Sequence, residues 1–202
     1  MNKRTPVCLV LKSAVLLVTL LCVFPLFATN PQKKEMKELN VKKVSLANVA
    51  VENIPALLDK EKVAFQSINT VNWKTFPYQP EVQFRIAHTD DAILVHYKVK
   101  EASVRAVAAG DNGAVWEDAC VEFFSIPAGD GIYYNVECNC AGILLIGAGA
   151  GRENREHAPQ EVMDKVQRWS SLGRQSFEER VGECNWELAL VIPYSAFFKH
   201  QM

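Results

Sequence analysis

The chain has 202 residues, enough for one domain with a sizeable core, and its 22 basic and 23 acidic side chains give a formal net charge of −1. It contains neither a basic stripe nor a long acidic tail. The composition therefore gives no indication of nucleic acid or a charged membrane surface as a partner.

The first 28 residues have the pattern of a secretory signal. Three basic residues precede an apolar run over residues 13–27, which ends at Ala28 before a polar segment. This run is short for a membrane span, which needs about 20 residues. We therefore expect cleavage near Ala28 and a secreted or periplasmic protein without a membrane span; a retained signal anchor is the alternative. The residues before Cys22 fit a lipidation signal badly, so a lipoprotein is not expected.

The mature chain is predicted to begin with a flexible tether, residues 29–43, which is rich in lysine and glutamate and has no apolar face. Strand patterns then dominate, with apolar and polar residues alternating over Glu81–His88, Ala92–Lys100 and Asn185–Ile192. No long amphipathic helix separates these strands, which excludes a βαβ arrangement. The sequence predicts one all-β domain over residues 44–202, an antiparallel β-sandwich of jelly-roll-like architecture.

A segment before these strands is rich in aromatic residues. Between Ala64 and Pro80, Trp73, Phe76 and Tyr78 alternate with asparagines and prolines. This composition predicts an irregular loop. Aromatic side chains packed against one end of the sandwich are the favoured interpretation, and a binding site lined by them is the alternative.

The stretch from Val115 to Gly149 is the most informative, because it predicts two antiparallel strands joined by a turn at residues 128–131. Successive side chains of a strand point to opposite faces, so one face of this hairpin is apolar. The other face carries polar side chains, which follow an aromatic residue in the sequence. Its members include Trp116, Asp118, Glu122, Asn135, Glu137 and Asn139.

Trp116 has an unusual position for a core residue, because it lies beside a polar loop and is followed by Glu and Asp. A flat indole ring can stack on the apolar face of a sugar while amides and carboxylates bind the hydroxyl groups. We therefore predict a non-catalytic site for an oligo- or polysaccharide. The predicted ligand-binding residues are Trp116, Glu122, Asn135, Glu137, Asn139 and Trp169, the last as a candidate second wall.

Two other functions remain open for the same residues. Glu122 and Glu137 could act as the carboxyl pair of a glycoside hydrolase, which needs a separation of about 5–5.5 Å for retention or about 6.5–9.5 Å for inversion. A structural β-sandwich without a sugar site is the third interpretation. Non-catalytic binding is favoured, because carboxylates also accept charge-assisted hydrogen bonds from sugar hydroxyls.

The four cysteines beyond the signal are Cys120, Cys138, Cys140 and Cys184. Their spacing contains no Cys-x-x-Cys pair, so it does not indicate a zinc site. Cys138 and Cys140 would lie about 6.5 Å apart on one strand face with parallel Cβ vectors, a poor geometry for a disulfide. We predict small buried apolar residues, with a bridge from Cys184 to one of the other three as the alternative.

Three runs of the sequence, VWEDACVEFF, YYNVECNCAG and WELALVIP, resemble the family 9 carbohydrate-binding modules. The stretch PEVQFRIAHTDDAILVHYKVKEASVRAV also fits their early hairpin, and the resemblance covers Val44 to Phe198. It implies a sugar-binding β-sandwich of the kind attached to xylanases and other glycoside hydrolases, which supports polysaccharide breakdown. It further implies a tryptophan pair that clasps the sugar ring and, in some members, structural calcium. We expect the domain to act as a monomer.

Matched by position, the resemblance makes Trp116 the first stacking tryptophan and Glu122 the acidic residue that binds a hydroxyl group. Asn135, Glu137 and Asn139 fall on the strand where further polar ligands are expected. Trp169 is assigned to the second tryptophan.

The sequence departs from the family pattern in two places. No basic sugar ligand is found over Tyr133–Cys140, so the resemblance does not specify the sugar. Related domains continue through at least one more strand after the run WELALVIP, so this copy is expected to lack C-terminal strands.

Overall fold

The computed structural model describes residues 38–47 and 49–200, and the chain from Leu39 onward forms one compact unit. The predicted signal, residues 1–28, and most of the predicted tether lie outside these ranges. No helix within them is long and apolar enough to cross a membrane.

The described residues form ten strands and two short α-helices. The strands are β1 (Lys42–Lys43), β2 (Gln66–Ile68), β3 (Glu81–His88), β4 (Ala92–Ala106), β5 (Cys120–Ser125), β6 (Tyr133–Asn139), β7 (Leu144–Gly149), β8 (Glu156–His157), β9 (Gln167–Ser170) and β10 (Phe177–Pro193). The α-helices are α1 (Ile54–Lys60) and α2 (Gln160–Met163), and 3-10 turns lie at Val51–Asn53, Val115–Glu117 and Tyr194–Ala196.

The strands are arranged in two sheets. Sheet A has the order β1-β3-β4-β10-β9, with β2 also paired to β3, and sheet B has the order β5-β6-β7-β8. The pairing of β1 with β3 is parallel, and the other pairings among the described strands are antiparallel. The predicted all-β antiparallel sandwich is therefore confirmed. The last two residues of the predicted tether, Lys42–Lys43, form strand β1 at the margin of sheet A.

The main core lies between the two sheets, and its residues follow the strand period of two. Sheet A contributes, among others, Val95, Tyr97, Val99, Trp186, Leu188 and Leu190, and sheet B contributes Val121, Tyr134, Val136, Cys138, Leu144 and Ile146. The apolar face of the predicted hairpin is thus the inner face of sheet B. Its polar face is the outer face.

The cysteines of the described residues are all free. Cys138 and Cys140 are buried in the core, and burial raises the pKa of each thiol to about 12. Both are therefore neutral at physiological pH and pack as small apolar side chains, as predicted. Cys184 forms no bridge.

The outer face of sheet A carries a series of hydrogen-bonded polar side chains beneath α1. Arg85 Nε donates to His96 Nδ1 at 3.0 Å, and His96 Nε2 lies 2.8 Å from Glu187 Oε2. Because Nδ1 accepts a hydrogen bond from arginine, the ring proton must reside on Nε2 and the imidazole is neutral. Burial is the largest cause that lowers the pKa of His96 to about 4, and the charge of Arg85 acts in the same direction.

We expect this histidine to make the domain sensitive to acid. Its pKa is about 6.5 when unfolded and about 4 when folded, so between these values only the unfolded state takes up the proton. The contribution to the free energy of unfolding is present above pH 6.5 and is lost progressively down to pH 4, by at most about 3 kcal/mol. Urea unfolding at several pH values measures this slope.

His96→Gln should show a flatter decline over the same pH range, because glutamine does not titrate. His157→Gln, at an exposed histidine on β8, is the matched control and should keep the parent slope. Equal slopes for the parent and the His96 variant would contradict the prediction.

Candidate functional site

The outer face of sheet B carries three polar side chains that we call the polar floor: Glu122, Asn135 and Glu137. Glu122 on β5 lies directly opposite Glu137 on β6, and Asn135 is two positions before Glu137 on the same face. Only 4% of Glu137 and 1% of Asn135 is exposed to solvent. The alternation read from the sequence thus brings three of the predicted ligand residues together.

Two atoms of the polar floor are buried without a hydrogen-bond partner among the described residues. Asn135 Nδ2 donates to Glu137 Oε1, but Asn135 Oδ1 and Glu137 Oε2 accept no hydrogen bond from this part of the chain. A buried polar group without a partner costs about 1–3 kcal/mol, and more when it is charged. The pair therefore contains two neighbouring acceptors that no donor among the described residues satisfies.

The polar floor concentrates negative charge. Directly opposite residues of antiparallel strands have Cβ atoms about 5 Å apart, so the carboxyl groups of Glu122 and Glu137 are close neighbours. Glu122 is exposed as a whole residue, yet desolvation of its carboxyl group, followed by the charge of Glu137, raises its pKa. The positive charges of Arg155 and Arg152 oppose this shift.

Arg155 reaches this face from the loop between β7 and β8. Its side chain lies against Gly147 and Gly149, where a Cβ atom on either glycine would come within 3.5 Å of it. Its guanidinium carbon is 5.8 Å from the centre of the Tyr133 ring. Because Gly147 and Gly149 have no side chains, Arg155 can lie along the outer face of β7, beside the polar floor.

Arg155 is not predicted from the sequence, because a basic sugar ligand is expected on the strands of the hairpin. The available signal was Gly147 and Gly149, two alternate glycines on the outward face of a strand, which leave room for a side chain from elsewhere. Phe124 was also not proposed, although it lies on the outward face of β5, is exposed and packs 6.1 Å from the Tyr133 ring.

Trp116 lies on the 3-10 turn just before β5, and 57% of it is exposed. The preceding Val115 is buried in a small cluster with Ala108 and Leu145, and Leu145 is the β7 partner of Glu137. The carboxylate of Asp118 accepts hydrogen bonds from the Val107 and Ala108 backbone amides at 2.9 and 3.0 Å, which anchors this loop. The turn that carries the indole therefore packs on Leu145, on the outer face of sheet B, and the indole itself is accessible.

Asn139 lies on the predicted face, but its amide is engaged by the protein. Its Nδ2 donates to Asp118 Oδ2 at 2.8 Å, and its Oδ1 accepts from the amides of Ala141 and Ile143 at 3.1 and 2.8 Å. These bonds fix the β6–β7 turn and tie it to the loop of Trp116. The structure thus gives Asn139 a supporting position rather than a free group for a ligand.

Trp169 does not lie near Trp116. Trp169 lies on β9, opposite Ala189 of β10, and packs against the apolar cluster under α1, which contains Ala189 and Leu94. That cluster covers the outer face of sheet A, whereas the polar floor is on the outer face of sheet B. Trp169 is therefore half-buried on the other side of the sandwich and does not form a second wall of this site.

The family resemblance implies structural calcium in some members, an ion that is bound by carboxylate, carbonyl and water oxygens. No group of three or more His, Cys, Asp or Glu side chains in these ranges is arranged to hold a metal ion.

Together, the described strands define a β-sandwich with a group of polar side chains, the polar floor, on the outside of one sheet. The family model for carbohydrate-binding family 9 matches residues 52–202, and the chain belongs to this family.

Among solved structures, the chain is similar to a Bacteroides uniformis protein provisionally assigned as carbohydrate-binding. The two are 63% identical with a TM-score of 0.80, over 82% of this chain and 77% of that chain. A family 9 module from Caldicellulosiruptor kristjanssonii, in complex with cellotriose, is 14% identical with a TM-score of 0.49, over 79% of this chain and 68% of that chain. The comparison with curated proteins gives no match.

Proposed function

We propose that this chain is a non-catalytic carbohydrate-binding module whose ligand lies on the polar floor beside Trp116. The observation that carries the proposal is the pair of buried acceptors without partners, Asn135 Oδ1 and Glu137 Oε2, next to an exposed indole. Two hydroxyl groups of a sugar would donate to these acceptors. Trp116 would cover the apolar face of the sugar ring.

The charges of the site favour a neutral sugar. Glu122 and Glu137 would repel the carboxylate or sulfate of an acidic sugar, whereas hydroxyl groups donate to carboxylates in strong charge-assisted hydrogen bonds. Arg155, on the same face, supplies donors for a ring or hydroxyl oxygen that must accept. The ligand class is therefore a neutral oligo- or polysaccharide with hydroxyl groups on adjacent carbons.

We further propose that the module is exported and supports polysaccharide breakdown by holding a substrate close to hydrolases. The pattern of residues 1–28 supports export, and membership of the family supports the association with polysaccharides.

Trp116→Ala is expected to weaken binding at least about tenfold, because the stacking surface for the sugar ring is removed. The measurement is calorimetry with cellotriose, xylotriose and mannotriose, after a glycan array has ranked a wider set. Trp116→Phe is the matched control, since it keeps a flat ring and should retain most of the affinity.

Equal affinities of the parent and Trp116→Ala would exclude this site, and so would a lack of binding across the array. The glycoside hydrolase alternative makes a different prediction. It requires release of reducing sugar that disappears in Glu137→Gln, whereas a binding module releases none.

A further inference from the structure

The loop between β2 and β3, residues 69–80, presents three aromatic side chains to solvent. Trp73, Phe76 and Tyr78 are 67%, 73% and 58% exposed. The sequence favoured aromatic rings packed against one end of the sandwich, and the structure shows otherwise. Three large aromatic side chains exposed together on one loop are unusual and mark a surface for interaction.

The loop is held in a defined shape. The amide of Phe76 donates to the carbonyl of Trp73 at 3.0 Å, so these two rings stand at the ends of one turn. The hydroxyl of Tyr78 accepts a hydrogen bond from the amide of Ala102 on β4 at 2.8 Å. Pro77 and Pro80, both within the loop, further restrict its backbone, including the residue before each proline. Binding to this surface would therefore cost little ordering of the chain.

The aromatic side chains line a small cavity with a neutral wall. Its volume is about 180 Å³, and its polar lining residues include Thr70, Asn72 and Gln79. None of the side chains that line it is charged. Aromatic rings combined with amides and a hydroxyl match a ligand that has both an apolar face and hydroxyl groups.

A neutral glycan fits this chemistry better than the other occupants. The cavity has the size of a single sugar ring, whereas a stable protein interface buries about 1,200 Å² or more. An acidic or basic partner would find no opposite charge in the lining.

We propose that Trp73, Phe76 and Tyr78 form a second saccharide-binding surface for a neutral glycan chain. The surface belongs to the loop that joins two strands of sheet A, whereas the polar floor lies on sheet B. The inference goes beyond the proposed function, since it adds a site and does not depend on Trp116. Two sites on one module would bind a polysaccharide with higher avidity than a trisaccharide.

The test is affinity electrophoresis of the full chain in gels that contain hydroxyethylcellulose, arabinoxylan or glucomannan. The variants are Trp73→Ala/Phe76→Ala, Trp116→Ala, and all three substitutions together. The loop double variant should lose about tenfold or more in apparent affinity for the polysaccharide. Trp116→Ala should keep a residual retardation that disappears when the loop is also changed.

Lys74→Ala, within the same loop, is the matched control and should migrate like the parent. The exposed positions of these residues allow folding, which thermal unfolding verifies. Retardation of the loop double variant equal to that of the parent in every gel would overturn the proposal, as would a parent that no gel retards. A loop substitution that changes only the sedimentation coefficient would also overturn it and indicate contact with a second copy.

The two sites are distinguished by this design. If Trp116→Ala migrates like the parent while the loop variant loses retardation, the polar floor is not a sugar site and the loop is. The reverse result supports the polar floor alone and overturns the loop proposal.

Discussion

Arg168→Ala is expected to lower the free energy of unfolding by about 3–5 kcal/mol, because it breaks a largely buried ion pair and leaves one charge behind. The guanidinium of Arg168 on β9 bonds both carboxylate oxygens of Asp111, at 2.6 and 2.8 Å. It also donates to the carbonyls of Gly142 and Met163, at 3.2 and 3.1 Å. This one side chain thus connects sheet A to the β6–β7 turn of sheet B.

The pKa of Asp111 shows that Arg168 stabilises the charged carboxylate. Burial acts to raise the pKa of Asp111, but hydrogen bonds from Arg168 and from the Leu144 amide more than offset it, and the pKa is lowered. Without the guanidinium, the carboxylate would remain in a partly buried position with far less compensation.

Chemical denaturation at neutral pH measures the loss. Arg168→Lys keeps the charge but cannot form the bidentate hydrogen bonds, so an intermediate loss of unfolding free energy is expected. Arg180→Ala is the matched control, because Arg180 is exposed and its guanidinium lies over the ring of Phe177, and it should cost about 1 kcal/mol or less. The prediction fails if Arg168→Ala is no more destabilising than this control.

Glu137→Gln is expected to weaken sugar binding about a hundredfold, which corresponds to the loss of one strong charge-assisted hydrogen bond. The same substitution should stabilise the protein without ligand by about 1 kcal/mol, because it removes a buried charge opposite Glu122. Opposite signs for affinity and stability are typical of a group held ready for a ligand at a cost to the fold.

Calorimetry and chemical denaturation of the same preparations measure the two effects. Glu122→Gln is the matched control, since Glu122 is exposed and its removal should change affinity less. If Glu137→Gln lowers the stability and leaves the affinity unchanged, Glu137 is a structural residue.

The faces of the central hairpin could be predicted from the sequence because strand alternation is local. The pattern over β5 and β6 was sufficient to place Glu122, Asn135 and Glu137 on one outward face. The extent of the strands was less accessible. Strand β4 continues to Ala106, beyond the alternating stretch, because it pairs with the early part of β10.

The residues that sequence reasoning misplaced depend on contacts between distant parts of the chain. Trp169 belongs to the other sheet because β9 pairs with β10, and no local sequence pattern indicates that pairing. Arg155 comes to the polar floor through a loop and lies on glycines. The amide of Asn139 is engaged by Asp118, 21 positions earlier. The exposure of the aromatic loop likewise follows from packing, since composition alone does not distinguish a ring that caps a core from one that faces solvent.

The free cysteines determine which kind of contact joins the two sheets. In residues 38–47 and 49–200, the two sheets are joined by apolar packing and by the Arg168–Asp111 pair, and the cysteines there form no covalent link between them. Within this part of the chain, we therefore expect the free energy of unfolding to be the same with and without a reducing agent, because no disulfide joins the sheets.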